Sequence, residues 1–99
     1  MYLIRDIMNC KPGQVRPMVE KFKAANKAMK KLGVTPGRLF TDVSGERFWT
    51  VVFETEFADL AAHTAALGQL MTDKNMQKIM ADYHDLVVSG RREIYQIEE

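Results

Sequence analysis

Residues 47–56 have the sequence RFWTVVFETE, the longest strand-like run in the chain. Aromatic and β-branched residues dominate it, which favours a β-strand. Because successive side chains of a strand point to opposite sides, its two faces differ in character. We expect one face to pack against helices and the other to meet a second surface. The apolar face consists of Trp49, Val51 and Phe53, and the mixed face of Phe48, Thr50, Val52 and Glu54.

The segment before this strand predicts its hairpin partner. Residues 38–43 (RLFTDV) alternate between apolar and polar side chains, and Ser44-Gly45 predicts a tight turn into the strand at 47–56. In this pairing, Arg38 and Asp42 continue the mixed face.

The beginning of the chain predicts a strand followed by a helix. Residues 2–9 (YLIRDIMN) have one charge within an apolar row on each face, as in a central strand that is partly covered on both sides. Residues 14–32 have apolar residues at helical spacing, and Gly33 is a natural C-terminal stop.

The second half predicts two helices and a last strand. Thr55 is the predicted N-cap of the first helix, Thr72-Asp73 the break, Gly90 the end of the second helix, and residues 91–97 the strand. The expected apolar stripes are Phe57, Leu60, Thr64, Leu67 and Met71 on the first helix, and Met76, Ile79, Met80, Tyr83 and Val87 on the second.

This order is β-α-β-β-α-β, the ferredoxin-like plan of the α+β class, in one domain over residues 1–99. Right-handed crossovers give a four-stranded antiparallel sheet with its helices on one face. The other face would expose apolar side chains. We therefore predict a homodimer that pairs two such faces across a two-fold axis and encloses a cavity.

Composition excludes several classes of function. The chain has 14 basic and 13 acidic residues among 99, so it lacks the cationic surface of a non-specific nucleic-acid binder. No apolar run approaches the roughly 20 residues of a membrane span. Cys10 is the single cysteine, which favours a reducing, cytoplasmic setting, and we expect no secretory signal.

Residues 2–5 (YLIR), 11–13 (KPG), Asp59-Leu60, 71–73 (MTD) and 86–95 (LVVSGRREIY) together resemble one protein family. The chain is similar to the NIPSNAP-like branch of the dimeric α+β barrel superfamily. The resemblance implies the fold, the homodimer and the inter-sheet cavity. Other branches include monooxygenases of the antibiotic-biosynthesis type, EthD-like proteins, muconolactone isomerase-like enzymes and haem-degrading enzymes, but the NIPSNAP-like branch itself implies no settled reaction.

The haem-degrading relatives combine an asparagine on the first strand with a tryptophan in the second helical region and a histidine soon after it. This chain has no tryptophan there, since its only one is Trp49. Asn9 lies near a strand end, and neither histidine has the matching neighbours. We therefore predict no cofactor.

Seven residues are predicted to line the cavity and contact a ligand. They are Asp6, Arg38, Phe40, Asp42, Phe48, Thr50 and Tyr95. Glu54 is a candidate general base, because desolvation among phenylalanines and valines would raise the pKa of its carboxyl. The alternative is that these charges form ion pairs that hold two sheets in register.

His63 and His84 are the remaining catalytic candidates, because histidine exchanges protons near neutral pH. Each borders an apolar helical stripe, and the alternative for each is a half-buried or exposed histidine with a structural role only. They are 21 positions apart with no further histidine or cysteine nearby, so no metal site is predicted. Trp49 is predicted to be a core residue.

Three functions are compatible with these observations. The first is a small cytoplasmic homodimer that binds an apolar or aromatic molecule in its cavity. The second is a cofactor-independent monooxygenase or isomerase in which a carboxylate or histidine moves a proton. The third is a structural or protein-interaction module with a filled interface.

Overall fold

The computed structural model describes all 99 residues and contains one four-stranded antiparallel sheet. The strands are β1 (Tyr2–Cys10), β2 (Arg38–Thr41), β3 (Thr50–Phe57) and β4 (Val87–Gln96), in the order β2-β3-β1-β4. The helices are α1 (Val15–Lys31), α2 (Leu60–Thr72), α3 (Lys74–Ile79) and a short 3-10 helix, Tyr83–Leu86. The predicted ferredoxin-like fold is confirmed.

The core lies between α1 and the two central strands. Met18 of α1 and Val51 of β3 are both fully buried, and the rings of Phe22 and Phe53 stack at 4.9 Å. This face of the sheet is the helix face. This core forms because α1 and β3 each present one apolar side to the other. In α1 that side follows from the helical spacing of apolar residues, and in β3 from the alternation of side chains.

The opposite side of the sheet is covered by no helix, and we call it the open face. It is defined by the alternate residues of β1 that point away from α1, with their partners in the sheet register. These are Leu3, Arg5, Ile7 and Asn9 of β1, Thr50, Val52 and Glu54 of β3, Arg38 and Phe40 of β2, and Ser89, Arg91, Glu93 and Tyr95 of β4.

The predicted tight turn at Ser44-Gly45 is wrong. Arg38 pairs with Glu54 and Thr41 with Val51, so an eight-residue segment, the 42–49 loop, connects β2 to β3. Pairing stops at Thr50, whose N–H donates to the Asp42 side chain at 2.8 Å. Trp49 then adopts a positive φ of 64°, which is uncommon for a residue with a Cβ and breaks the strand alternation.

β3 therefore begins later than predicted, at Thr50. Val51 and Phe53 face the core as expected, but Trp49 is 44% exposed, so its predicted core position is wrong. Phe48 is 84% exposed and lies in the 42–49 loop, so its predicted place on the sheet is also wrong.

The helical region after β3 differs from its prediction in three ways. Asp59, and not Thr55, caps α2, because β3 continues to Phe57 and the Asp59 carboxylate accepts the Ala62 N–H at 2.7 Å. This cap directs His63, Ala66 and Leu70 toward the core. The predicted stripe residues Leu60 and Met71 are exposed instead.

The second predicted helix is divided into two elements in the structure. The first is α3, which is capped by Asp73, and the second is the short 3-10 helix. β4 begins at Val87, so Gly90 lies inside the strand and does not end a helix. It pairs with Met8, and a Cβ at Gly90 would come within 3.2 Å of the Met8 sulfur. The close approach of this side chain explains a glycine within the strand.

Two glycines in different surroundings, Gly37 before β2 and Gly68 in α2, provide a test of the packing. A Cβ on Gly37 would lie 2.5 Å from the Phe53 ring and 2.7 Å from the Glu54 carbonyl oxygen, whereas a Cβ on Gly68 of α2 meets nothing within 4 Å. We expect Gly37→Ala to lower the free energy of unfolding by roughly 1–3 kcal/mol through overpacking. Gly68→Ala should raise it by about 0.5–1 kcal/mol, because alanine is the better helix former.

Urea denaturation of the two variants measures both effects. Opposite signs are expected. A loss of stability at both positions, or at neither, would contradict this account of the packing.

Candidate functional site

Arg5 lies at the centre of the open face, between two carboxylates on the neighbouring strands. Its Nε contacts Glu54 Oε2 at 2.9 Å, and its Nη1 contacts Glu93 Oε1 at 3.4 Å. The register places all three side chains in one row, because Arg5 pairs with Glu54 in β3 and with Glu93 in β4. One guanidinium thus links three of the four strands.

Both carboxylates have further partners. Arg38 contacts the second oxygen of Glu54 at 3.3 Å, which extends the row to β2. Glu93 accepts from Arg91 at 3.1 Å and from the Tyr95 hydroxyl at 3.0 Å. These hydrogen bonds, with Arg91 the largest contributor and Tyr95 next, hold the pKa of the Glu93 carboxyl below its ordinary value. The row is therefore an ion-pair network in which each carboxylate is already engaged.

A cavity of about 380 Å³ lies beside this row, between the open face and the 42–49 loop. Its apolar part consists of Ile7, Phe40 and Val52, with Val43 at the loop. Ile7 is only 4% exposed and Asn9 only 8%, although no helix covers this side. The loop and the surrounding side chains thus enclose this end of the open face within a single chain.

The structure brings together some of the predicted ligand-binding residues. Phe40, Asp42 and Thr50 line the cavity. Arg38 and Tyr95 lie on the same face, in the ion-pair network. Glu54 belongs to that network too, with both of its oxygens paired to guanidinium groups.

Phe48 does not line this cavity. It lines a second depression with Trp49 and Val15 at the beginning of α1, which adjoins the cavity at Thr41 and Asp42. The left-handed backbone of Trp49 directs both aromatic residues away from the sheet. The predicted place of Phe48 on the strand is therefore wrong, while its contact with a cavity between two paired sheets stays a prediction.

Asp6 lies on the opposite side of the sheet from its predicted position. It shares the helix face with Ile4 and Met8, and its Oδ1 contacts Arg92 Nε at 2.6 Å. The expectation that Asp6 faces the cavity is therefore wrong. The alternation of β1 places Asp6 and Arg5 on different faces, and only the three-dimensional packing shows which of the two the helices cover.

His63 belongs to α2 and is buried on the helix face of the sheet. It is 8% exposed and packs edge-on against Phe57, with ring centroids 5.0 Å apart. Burial lowers the pKa of His63, and the nearby charge of Arg92 lowers it further, while Asp6 opposes the shift. His63 does not line the cavity.

His84 is exposed in the 3-10 helix, where its ring lies 4.0 Å from that of Tyr83. It too is absent from the cavity lining. The two histidines therefore lie apart from the candidate site.

The sequence analysis did not predict Arg5, Asn9 or Arg91 as residues of the site. Asn9 and Arg91 line the cavity, and Arg5 joins the cavity to the ion-pair network. The signal for Arg5 was its charge inside an apolar row of β1, which requires a partner on a neighbouring strand, whereas Asn9 and Arg91 had no such signal. Identifying that partner needed the register of the sheet.

The single cysteine lies outside the site. Cys10 is a free thiol, 4% exposed, and burial raises its pKa, with the Asp42 charge adding to the shift. The structure contains no group of three or more His, Cys, Asp or Glu residues placed to hold a metal ion. None of its helices is both long and apolar enough to span a membrane.

Several solved structures resemble this chain closely in fold. A NIPSNAP family protein from Agrobacterium tumefaciens superposes with a TM-score of 0.85 at 15% identity, covering 99% of this chain and 93% of that one. A NIPSNAP domain protein from Burkholderia xenovorans gives 0.82 at 16% identity, covering 99% and 95%. The chain has the fold of the NIPSNAP domain proteins.

The NIPSNAP-like resemblance stated from the sequence is thus confirmed at the level of the fold. An antibiotic biosynthesis monooxygenase is also similar, with a TM-score of 0.73 at 13% identity and full coverage of both chains. No protein-family model matches the chain, and no curated protein matches it. At these identities the similarity concerns the NIPSNAP-like fold alone, and function has to be argued from the site.

The position of His63 predicts how stability depends on pH. Its folded pKa lies below the ordinary 6.5, so the unfolded chain takes up a proton that the folded chain resists. Stability should therefore fall as pH is lowered from about 7.5 to about 5.5. His63→Gln should make this fall smaller.

Thermal unfolding at several pH values measures the effect, and His84→Gln is the matched control at an exposed position. An undiminished fall in the His63 variant would contradict the assignment.

Proposed function

We propose that the chain is a small cytoplasmic homodimer that binds a small apolar or aromatic molecule at the open face. The observation that carries the proposal is the cavity of about 380 Å³ under the 42–49 loop. Ligand sites are typically concave, roughly 300–1,000 Å³, mainly apolar and provided with a few polar groups. Ile7, Phe40 and Val52 supply the apolar surface here, and Asn9, Thr50 and Arg91 supply the polar groups.

Binding is favoured over catalysis by the state of the ionisable groups. Glu54 and Glu93 are both engaged with arginines, and both histidines lie outside the cavity. Of the two carboxylates that line the cavity, Asp42 already accepts the Thr50 N–H, and Glu46 has no histidine beside it in the lining. No observation specifically favours a monooxygenase or isomerase, so we do not propose one.

The exposed side chains on the open face support dimerisation. Phe40 is 41% exposed and Tyr95 is 49% exposed, beside a row of alternating charges that a two-fold axis would bring against a second copy of itself. Burying such a patch against an identical patch is the usual arrangement of a two-fold dimer. The cytoplasmic setting is supported by the free, buried Cys10 thiol.

A neutral aromatic probe, N-phenyl-1-naphthylamine, tests the binding proposal. Its fluorescence should rise when it enters the apolar cavity of the wild-type protein. Val52→Phe adds bulk inside the cavity and should weaken binding by roughly tenfold or more, the equivalent of losing about 1.4 kcal/mol. Val88→Phe, at a 67% exposed position of β4, is the control and should bind as the wild type does. Absence of binding to the wild type, or equal binding by the two variants, would overturn the proposal.

Two adjacent residues of β4 test the dimer. Tyr95 lies on the open face and Ile94 on the other, and their exposures are similar, at 49% and 46%. Light scattering should give a mass of two chains for the wild type and for Ile94→Asp, and of one chain for Tyr95→Asp, which would bury a charge at the interface. A monomeric wild type would refute this part of the proposal.

A further inference from the structure

The cavity under the 42–49 loop continues into a polar extension. This extension has a volume of about 460 Å³ and is lined by no apolar residue. It lies between the loop and the first half of β4. The two cavities share Asn9, Glu46, Arg47 and Arg91, so a single molecule that extends along the open face would contact both.

The extension contains hydrogen-bond donors with protons to spare. Arg91 uses Nε to contact Glu93, which leaves the terminal nitrogens of its guanidinium without a protein partner. Arg47 forms no side-chain ion pair. Ser89 Oγ accepts from Asn9 Nδ2 at 3.1 Å, so its hydroxyl proton remains available for another acceptor.

Acceptors are scarce in the same place. Glu46 is the one carboxylate that lines the extension, whereas two arginines, Arg47 and Arg91, line it. Glu93, just outside, already accepts from Arg91, Tyr95 and Arg5. The balance of charge and of free donors therefore favours an anion, and the planar guanidinium group is well suited to bind a carboxylate, sulfonate or phosphate through paired hydrogen bonds.

We propose that the molecule bound at the open face is an amphipathic anion. Its apolar or aromatic body lies on Ile7, Phe40 and Val52, and its anionic group lies in the polar extension between Arg47 and Arg91. This proposal rests on the proposed binding function and specifies its ligand class. Arg91 is the main anion-binding residue, because the sheet fixes its backbone and Glu93 orients its side chain.

Two probes that share one aromatic body test this inference. N-phenyl-1-naphthylamine is neutral, and 8-anilinonaphthalene-1-sulfonate is the same molecule with a sulfonate added. We expect the sulfonate to bind the wild-type protein roughly tenfold more tightly, as a charge-assisted hydrogen bond would provide. Arg91→Gln should remove most of this preference, because it should weaken binding of the sulfonate far more than binding of the neutral probe.

The control removes the same charge elsewhere. Lys27→Gln, on the outer side of α1, should retain the preference for the sulfonate, which separates a local site from a general effect of net charge. Arg47→Gln should reduce the preference in the same direction as Arg91→Gln.

The outcomes distinguish the two proposals. If neither probe binds, the proposed function fails and this inference fails with it. If both bind with equal affinity, or if Arg91→Gln and Lys27→Gln change the preference equally, the amphipathic anion is refuted while the apolar binding site remains.

Discussion

The contact of Arg5 with Glu54 and Glu93 is the interaction on which the open face depends. Only a central strand has a neighbour on each side, so a single arginine on β1 can pair with carboxylates on both β3 and β4. Glu54 is only 13% exposed at its side chain, and a carboxylate this enclosed needs a partner. By pairing with both carboxylates, Arg5 offsets the free-energy cost of holding their charges in the middle of a partly covered surface.

This row also determines where a ligand can lie. The row crosses the open face between two regions. On one side lies Tyr95, and on the other Ile7 and Val52 form an apolar surface. The 42–49 loop covers that second region. The resulting cavity has a rigid floor of paired strands and a roof of loop residues, an arrangement in which binding groups are positioned by a scaffold and selected by a loop.

Fold similarity and site similarity separate in this protein. The chain superposes on NIPSNAP proteins across nearly its whole length at 15–16% identity. In this chain the layers are built by the alternation of β1 and β3 and by the apolar stripe of α1. These features constrain the helix face. The residues that line the cavity lie on the open face and in a loop, where the fold accepts many side chains, so the site has to be understood from its own contacts.

The sequence alone determined the order of strands and helices, the helix-facing residues Val51 and Phe53, and the mixed character of the other face, because these follow from local periodicity. It also identified part of the candidate site, namely Phe40, Asp42 and Thr50 in the cavity and Glu54 in the adjacent ion-pair network. Only the tertiary structure decided that Asp6 and His63 lie beneath the helices, that Glu54 is paired with Arg5, and that a long loop encloses the cavity. The reason is that the register of the strands and the ion pairs across them join segments distant in sequence, which periodicity does not encode. The cap at Asp59 and the left-handed backbone at Trp49 are local features that interrupt the expected periodicity.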